Sequence, residues 1–134
     1  MEKDNENSKI DEVKEDKLIE DAFQHLLNTY LASPHRKKVD IITKAYHFAK
    51  QAHKGVRRLS GEPYILHPIA VAQIACEEIG LGSTSICSAL LHDVVEDTGV
   101  TLEEIKEKFG ETVAFLVDGV TKLGKARQGM RDID

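Results

Sequence analysis

Apolar residues at helical spacing are the feature of this sequence that most constrains its fold. Between positions 18 and 31, hydrophobic side chains recur at i, i+1, i+4 and i+5, which places them on one face of an α-helix. The members of this face are Leu18, Ile19, Ala22, Phe23, Leu26, Leu27, Tyr30 and Leu31. The helix is expected to end at Ser33-Pro34, because the residue before a proline is disfavoured in helical conformation. No segment shows the strict alternation of a β-strand, so the sequence predicts an all-α fold.

Start and stop signals divide the rest of the chain into further short helices. A second helix is predicted from about Lys38 to Ala52, with Gly55 as its stop. A third is predicted to begin at Pro68 and to end near Gly80. Three more follow: one capped by Ser83 or Thr84 and running to Glu96 or Asp97, one between the capping box at Thr101 and Gly110, and one from about Thr112 to Val117. Residues 1–10 are predicted to be a disordered polar tail, which leaves residues 11–134 as one compact multi-helix domain.

Composition and charge exclude several classes of protein. The chain has 134 residues, enough for one domain with a single core. Its net charge of −5 argues against a module that binds duplex DNA, which would present a basic face. It contains no apolar run near the ~20 residues of a membrane-spanning helix, and its charged start lacks the apolar core of a signal peptide. We therefore expect a cytoplasmic protein that binds neither DNA nor membranes, with Cys76 and Cys87 as reduced core residues.

The segment LLHDVVEDT, residues 90–98, places four ionisable side chains in an otherwise apolar helix. His92 and Glu96 are four residues apart, as are Asp93 and Asp97, so the four groups share adjoining faces. A solvated helix end is one explanation, but such a surface would be expected to mix acids with Lys or Arg. Carboxylates clustered beside a histidine repel one another unless a cation lies among them, which favours a metal or acid–base site.

A histidine followed directly by an aspartate can offer a nitrogen and an oxygen to one ion. Mixed N and O donors favour Mn, Fe, Co, Zn or Mg over Ca or a thiolate-bound metal. Two ligands are too few. His67, directly before Pro68, is the best further candidate, although a His-Pro step at a helix start is also a common turn or cap feature. The remaining histidines are interpreted as surface groups: His25, His35, His47 and His53, the last of them bordering a basic segment.

Three segments, in this order, resemble one known family: HKGVRRLSGEPYILHPIAVAQI, ALLHDVVEDT and FGETVAFLVDGVTKL. They are similar to the N-terminal hydrolase domain of the RelA/SpoT family of alarmone enzymes, which belongs to the HD phosphohydrolase superfamily. The similarity extends over roughly residues 38–125. It implies an HD-domain helical bundle that hydrolyses ppGpp and pppGpp to GDP or GTP and pyrophosphate, with Mn²⁺ as the cofactor.

The resemblance also implies roles for individual residues. His67, His92 and Asp93 match metal ligands, Glu96 and Asp97 match the pair that activates the attacking water, and Arg58 and Ser60 match residues of the nucleotide pocket. Leu59 stands where the family usually has a basic residue, so one nucleotide contact is expected to be missing.

Two parts of the family pattern have no match in the chain. The family's fourth metal ligand is an aspartate in a KLADRLHN-like helix, and no such segment is present; nor is the synthetase domain. The chain is therefore expected to be the N-terminal portion of an HD domain whose C-terminal helices are missing, from a longer protein with synthetase and regulatory domains. Such a piece is expected to hydrolyse ppGpp weakly or not at all, and to self-associate through the apolar surface that the missing helices would cover.

Two other functions stay open at the level of sequence. One is an HD phosphohydrolase that acts on a different nucleotide, and the other is a non-catalytic HD fold kept as a regulatory module. The RRLSGEPYILHP segment argues against the first, since a generic HD enzyme has no need of it. The intact His92-Asp93 and Glu96-Asp97 pairs argue against the second, because a decayed site usually loses such charges.

Overall fold

The computed structural model describes residues 2–33, 38–79, 82–120 and 122. Within these ranges the chain forms six helices and no β-strand. The first five are α1 (Glu2–Leu31), α2 (Val39–Ala52), α3 (Leu66–Ile79), α4 (Ser83–Asp97) and α5 (Leu102–Phe109). The sixth, α6, covers residues 111–120. The predicted all-α class is therefore confirmed.

The helices pack around one hydrophobic core in which α4 is central. α4 lies against α2 and α3, and α1 lies against α3. Ile86, Leu90 and Val94 of α4 are fully buried. Burial of a side chain of this size contributes roughly 1.5–3 kcal/mol, so these residues fix the rotation of α4 about its axis. Cys76 and Cys87 lie in the same core as free thiols, which confirms their predicted role.

α1 begins earlier than the sequence predicts. Residues 2–10, predicted to be a disordered tail, are the first turns of this helix, which corrects the prediction. Extending an existing helix is much easier than nucleating a new one, so these residues continue α1 although their polar sequence has no helical pattern of its own. The helix ends at Leu31, close to the predicted stop, although Pro34 lies outside the described residues. Neither this helix nor any other described one is both long and apolar enough to cross a membrane.

The caps of α5 confirm the sequence prediction, whereas the cap of α4 corrects it. The side chain of Thr101 accepts a hydrogen bond from the backbone nitrogen of Glu104 at 3.2 Å, and Gly110 ends the helix at φ 98°. At the start of α4, the N-cap is Gly82, with no side-chain hydrogen bond, and Ser83 is already helical. Glycine is an acceptable N-cap because it leaves the first helical N–H groups accessible, so no capping hydroxyl is required there.

The connection between α2 and α3, residues 53–65, is a tight loop. Arg57 and Pro63 form an isolated antiparallel bridge across it. The chain reverses where the backbone nitrogen of Gly61 donates to the carbonyl of Arg58 at 2.8 Å. Gly61 adopts φ 101°, a conformation that residues with a Cβ atom rarely take. The loop therefore presents Arg58 next to its turn in a defined backbone conformation.

Arg57 fastens this loop to α1. Its guanidinium donates to both carboxylate oxygens of Glu15, at 2.6 and 2.8 Å, and to the carbonyl of Gly61 at 2.7 Å. The hydrogen bond from Arg57 lowers the pKa of Glu15, so this carboxylate stays ionised. The long first helix thereby holds the loop that carries Arg58 and Ser60, the residues matched to a nucleotide pocket.

Candidate functional site

α4 brings His92 and Asp93 into direct contact. Asp93 is 6% exposed, and its Oδ1 lies 2.9 Å from Nε2 of His92. The other ring nitrogen of His92, Nδ1, lies 3.1 Å from the carbonyl oxygen of Ala89. Because a carbonyl only accepts, Nδ1 carries a proton, and Nε2 is the nitrogen that faces the carboxylate. The ring of His92 is thus oriented by its own helix.

The contact between the two side chains favours the charged form of each. The hydrogen bond to Asp93 raises the pKa of His92 and outweighs the opposing effect of burial. Burial alone would raise the pKa of Asp93, but the hydrogen bonds from His92 and Tyr64 and the charge of His92 prevail, and the pKa is lowered. The carboxylate is therefore kept in the ionised form that can ligate a metal ion.

Tyr64 holds the second oxygen of the Asp93 carboxylate. Its hydroxyl donates to Oδ2 at 2.9 Å. Burial, followed by the hydrogen bond to Asp93, raises the pKa of Tyr64, so the phenol stays protonated and continues to donate. Sequence patterns do not single out Tyr64 as a site residue, because this contact joins the loop to α4. The one available signal is its position three residues before His67.

The donor atoms of His92 and Asp93 fit a small divalent cation. Two ligand atoms that lie about 2.1 Å from one ion and at right angles to each other are about 3.0 Å apart. Nε2 and Oδ1 are 2.9 Å apart. The contacts of Ala89 with Nδ1 and of Tyr64 with Oδ2 are of the kind that orients metal ligands from outside.

His67 lies near this pair but does not complete a metal site with it. Within the described ranges, no three His, Cys, Asp or Glu side chains form a group that could hold a metal ion. The ring of His67 is 5.8 Å from the ring of Tyr64, centroid to centroid, and its Nδ1 is 3.4 Å from a terminal nitrogen of Arg58. A guanidinium only donates, so this contact occupies Nδ1 as an acceptor. The role of His67 as a third ligand stays a prediction.

Glu96 and Asp97 lie in the last turn of α4, one turn beyond the His92–Asp93 pair. Both are exposed to solvent, whereas Asp93 is buried and His92 is partly buried. Asp97 is close enough to Tyr64 for its charge to add to the raised pKa of that phenol, after burial and Asp93. The segment therefore combines the fixed His92–Asp93 pair with two acidic side chains that solvent can reach.

Arg58 and Ser60 lie on the exposed part of the loop. Besides touching His67, Arg58 has its Nε 3.9 Å from a carboxylate oxygen of Glu62. The hydrogen bond from Ser60 lowers the pKa of Glu62. The side chain of Leu59 is completely exposed. Exposed ion pairs of this kind contribute little, so an incoming anion can replace Glu62 as the partner of Arg58.

His53 is buried, which corrects its interpretation as a surface residue. It directly follows α2, is 2% exposed, and has its ring 4.9 Å from that of Tyr64. It lies four residues after the buried Ala49, so it continues the inward face of α2 by one turn, a spacing that its interpretation as a surface group overlooked. Among the other histidines, His25 and His47 are exposed as predicted, and His35 lies outside the described residues.

A cavity of about 310 Å³ lies between α1 and the loop. Its wall includes His53, Glu15 and Arg57, but none of the residues predicted to bind metal or nucleotide or to activate water. Glu15 and Arg57 are already paired with each other across it. The cavity is therefore separate from the His92–Asp93 pair, and it does not identify a substrate pocket.

Comparison with known proteins places these residues in a family. Residues 45–132, most of the chain, match the family described as HD domain. A guanosine-3′,5′-bis(diphosphate) 3′-pyrophosphohydrolase of Aquifex aeolicus is 46% identical over 120 residues, which cover 90% of this chain and 16% of that protein. A probable GTP pyrophosphokinase of Mycobacterium leprae is 49% identical over 94 residues, which cover 70% of this chain and 12% of that protein. The bifunctional (p)ppGpp synthase/hydrolase SpoT of Escherichia coli K12 is 44% identical over 107 residues, which cover 80% of this chain and 15% of that protein.

The chain spans less than a fifth of the length of these three relatives. The region matched to the HD domain contains α3 and α4, and with them His67, His92 and Asp93. The contact between His92 and Asp93 therefore lies within this region. The chain belongs to the HD domain family.

Proposed function

We propose that this chain carries the active site of a guanosine-3′,5′-bis(diphosphate) 3′-pyrophosphohydrolase, which converts ppGpp or pppGpp to GDP or GTP and pyrophosphate. The observation that carries the proposal is the His92–Asp93 pair on α4, whose donor atoms are 2.9 Å apart and whose carboxylate is held by Tyr64. The hydrolase names of the Aquifex aeolicus and Escherichia coli relatives support the class of substrate.

His67, His92 and Asp93 would hold a divalent ion, for which we propose Mn²⁺. Mixed nitrogen and oxygen donors suit this metal, and the spacing of Nε2 and Oδ1 supports a shared ion. When bound, such an ion polarises phosphoryl oxygens and makes a water molecule more acidic. His67 would join the pair from the start of α3, next to Tyr64.

Glu96 is proposed as the general base. It is exposed and lies one helical turn from His92, so it can accept the proton of a water molecule that attacks phosphorus. As the new oxygen–phosphorus bond forms, the bond between phosphorus and the ribose 3′ oxygen breaks, and that oxygen takes up a proton. Asp97, beside Tyr64, is proposed to orient the attacking water together with Glu96.

Arg58 is proposed to bind the polyphosphate. Its guanidinium is exposed and touches His67, so a phosphate on Arg58 would lie next to a proposed metal ligand. The hydroxyl of Ser60, on the same loop, is proposed as a further contact at the edge of the pocket. Leu59 offers no charge at the position between them, and we expect the nucleotide to lack a cationic contact there.

The chain by itself is proposed to hydrolyse ppGpp weakly. It supplies three of the ligands that the family pattern contains, and losing an anionic fourth ligand weakens metal affinity and leaves the ion less well positioned. We propose that an aspartate-bearing helix outside these 134 residues supplies the fourth, in a longer protein that also carries synthetase and regulatory domains. An extension by ~60–80 residues through that helix, enough for a domain of common size, should raise Mn²⁺ affinity and turnover together.

A panel of nucleotides tests the proposed substrate. With Mn²⁺, ppGpp should yield GDP and pyrophosphate in equal amounts by anion-exchange chromatography, pppGpp should yield GTP and pyrophosphate, and GTP and dGTP should stay intact. Faster turnover of GTP or dGTP than of ppGpp would favour an HD phosphohydrolase of different specificity. An absence of turnover for all four, in the extended as well as the 134-residue chain, would favour a regulatory HD domain.

A further inference from the structure

His53 is buried, yet only one of its two ring nitrogens has a partner. Nδ1 lies 3.2 Å from the carbonyl oxygen of Ala49 and must carry the proton, because a carbonyl only accepts. In the described part of the chain, nothing forms a hydrogen bond with Nε2, which is buried. The ring is therefore held at one nitrogen by the helix that precedes it.

The ring of His53 packs against the ring of Tyr64. The two ring centroids are 4.9 Å apart, with an angle of 34° between the planes. Tyr64 is only partly buried, so the core alone does not fix its ring. The hydroxyl at the far end of that ring donates to Oδ2 of Asp93 at 2.9 Å. Movement of the Tyr64 ring would therefore displace the hydroxyl that holds the Asp93 carboxylate.

Two properties of His53 suit it to a position beside Tyr64: its hydrogen bond to Ala49 and its lowered pKa. The bond to the Ala49 carbonyl sets the plane of the ring, which an apolar side chain could not do. Burial lowers the pKa of His53 against the opposing effects of the hydrogen bond to Ala49 and the charges of Asp93 and Asp97, which favours the uncharged ring. A neutral ring does not repel a cation at the His92–Asp93 pair, as an imidazolium would.

We propose that His53 is a positioning residue of the HD site: it holds the ring of Tyr64 and, through the Tyr64 hydroxyl, fixes the Asp93 carboxylate for cation binding. The inference deepens the proposed function and rests on its metal site at His92 and Asp93. The role of His53 does not depend on which nucleotide is hydrolysed.

The test is a double-mutant cycle read by Mn²⁺ binding to the 134-residue chain, with free Mn²⁺ measured by electron paramagnetic resonance. Tyr64→Phe removes the hydroxyl and should lower Mn²⁺ affinity about tenfold, as loss of a contact that orients a ligand does. His53→Ala should lower the affinity by a similar factor. The double variant should match Tyr64→Phe within about twofold, because His53 acts through the missing hydroxyl. His47→Ala, at an exposed histidine of α2, is the matched control and should bind Mn²⁺ normally.

Losses that multiply, to about a hundredfold in the double variant, would overturn the proposal, as would unchanged affinity in a folded His53→Ala chain. If circular dichroism shows that His53→Ala does not fold, the cycle is run with His53→Phe, which keeps a ring but lacks the bond to Ala49. A loss that disappears in the Tyr64→Phe background supports the proposal, and any other result overturns it.

The same measurements separate this proposal from the proposed function. Failure of the unmodified chain to bind Mn²⁺ would overturn the metal site and this proposal together. Mn²⁺ binding with the predicted coupling, but without release of pyrophosphate from ppGpp in an extended chain, would reject the proposed reaction and support the role of His53.

Discussion

The Asp93 carboxylate has each of its oxygens engaged by a different partner. Oδ1 faces Nε2 of His92, and Oδ2 accepts a hydrogen bond from the hydroxyl of Tyr64, each at 2.9 Å. Burying a carboxylate is unfavourable unless such contacts replace its hydration, and hydrogen bonds to a charged acceptor are the stronger kind. Asp93 is therefore both ionised and fixed in position, two properties that a metal ligand requires.

Glu96→Gln is expected to separate metal binding from chemistry. Glutamine keeps the size and polarity of the side chain but cannot accept a proton, so turnover of ppGpp should fall by roughly 10²- to 10⁴-fold. Mn²⁺ affinity should change little, because exposed Glu96 lies outside the His92–Asp93 pair. Steady-state kinetics and a Mn²⁺ titration of the extended chain check both points, with Glu107→Gln, an exposed residue of α5, as the control. Near-normal turnover would remove Glu96 from the mechanism.

Spacing along one helix predicts only part of this cluster. His92, Asp93 and Asp97 can be assigned to one helical surface, because residues four apart lie on one face. Tyr64 and His53 cannot, since they reach the cluster from the loop and from the end of α2. Helical spacing after Ala49 indicates that His53 faces inward, but its contact with Tyr64, and that of Tyr64 with Asp93, depend on how the loop packs.

At the scale of whole elements, two carboxylates dock α1 onto the rest of the domain. Glu20 accepts hydrogen bonds from the hydroxyl of Tyr46 at 2.6 Å and from Nζ of Lys50 at 3.1 Å, both on α2. Glu15 binds Arg57 of the loop through two hydrogen bonds. A helix rich in charged residues is thus attached by directional contacts as well as by its apolar face.

Glu20→Gln is expected to destabilise the fold in a pH-dependent way. The hydrogen bond from Tyr46, assisted by Lys50, lowers the pKa of Glu20 against the effect of burial. A group whose pKa is lowered in the folded state stabilises the fold above its ordinary pKa, 4.5 here, and loses that contribution as the pH falls through the folded value. At pH 7 the variant should lose about 0.5–1 kcal/mol of unfolding free energy, a range reduced for solvent screening because Glu20 is half-exposed.

Urea denaturation of both chains between pH 7 and pH 3 measures this effect. The difference in unfolding free energy between Glu20→Gln and the unmodified chain should shrink as the pH falls below about 4.5. Glu107→Gln should show no such trend, since this glutamate is exposed on α5. A difference that is equally large at all pH values would contradict an ionised Glu20 as the anchor.

Helix boundaries follow from the sequence where a cap or a breaker marks them. Thr101 and Gly110 delimit α5 as predicted, because a side-chain cap and a glycine stop are both local signals. The start of α1 and the Gly82 cap of α4 were not predictable in the same way. α4 begins without a side-chain hydrogen bond that would have distinguished its first residue.

At the scale of the whole molecule, the described surface retains large apolar side chains. Ile74 on α3 is 61% exposed, and Phe115 on α6 is 76% exposed. The sequence predicts the helices and their class, but not which faces stay uncovered, because that depends on how the helices pack. Exposed apolar area beyond scattered single residues favours association.

We therefore expect the 134-residue chain to self-associate in a concentration-dependent way. Phe115→Ser and Ile74→Ser each remove an exposed apolar side chain and should shift the equilibrium toward monomer. Sedimentation equilibrium over a range of concentrations checks this, with Glu111→Ser, a polar change on α6, as the matched control. A chain that stays monomeric at every concentration would contradict the expectation.

Pyrophosphate release from ppGpp at saturating Mn²⁺, with Asp93→Asn beside the unmodified chain, tests the central claim most directly. Asparagine keeps the shape of Asp93 but carries no charge for a cation. The release should require Mn²⁺ and should fall by about 100-fold or more in the variant, even if the unmodified chain is slow. Equal release by Asp93→Asn, or release that needs no divalent ion, would contradict a metal-dependent hydrolase built on the His92–Asp93 pair.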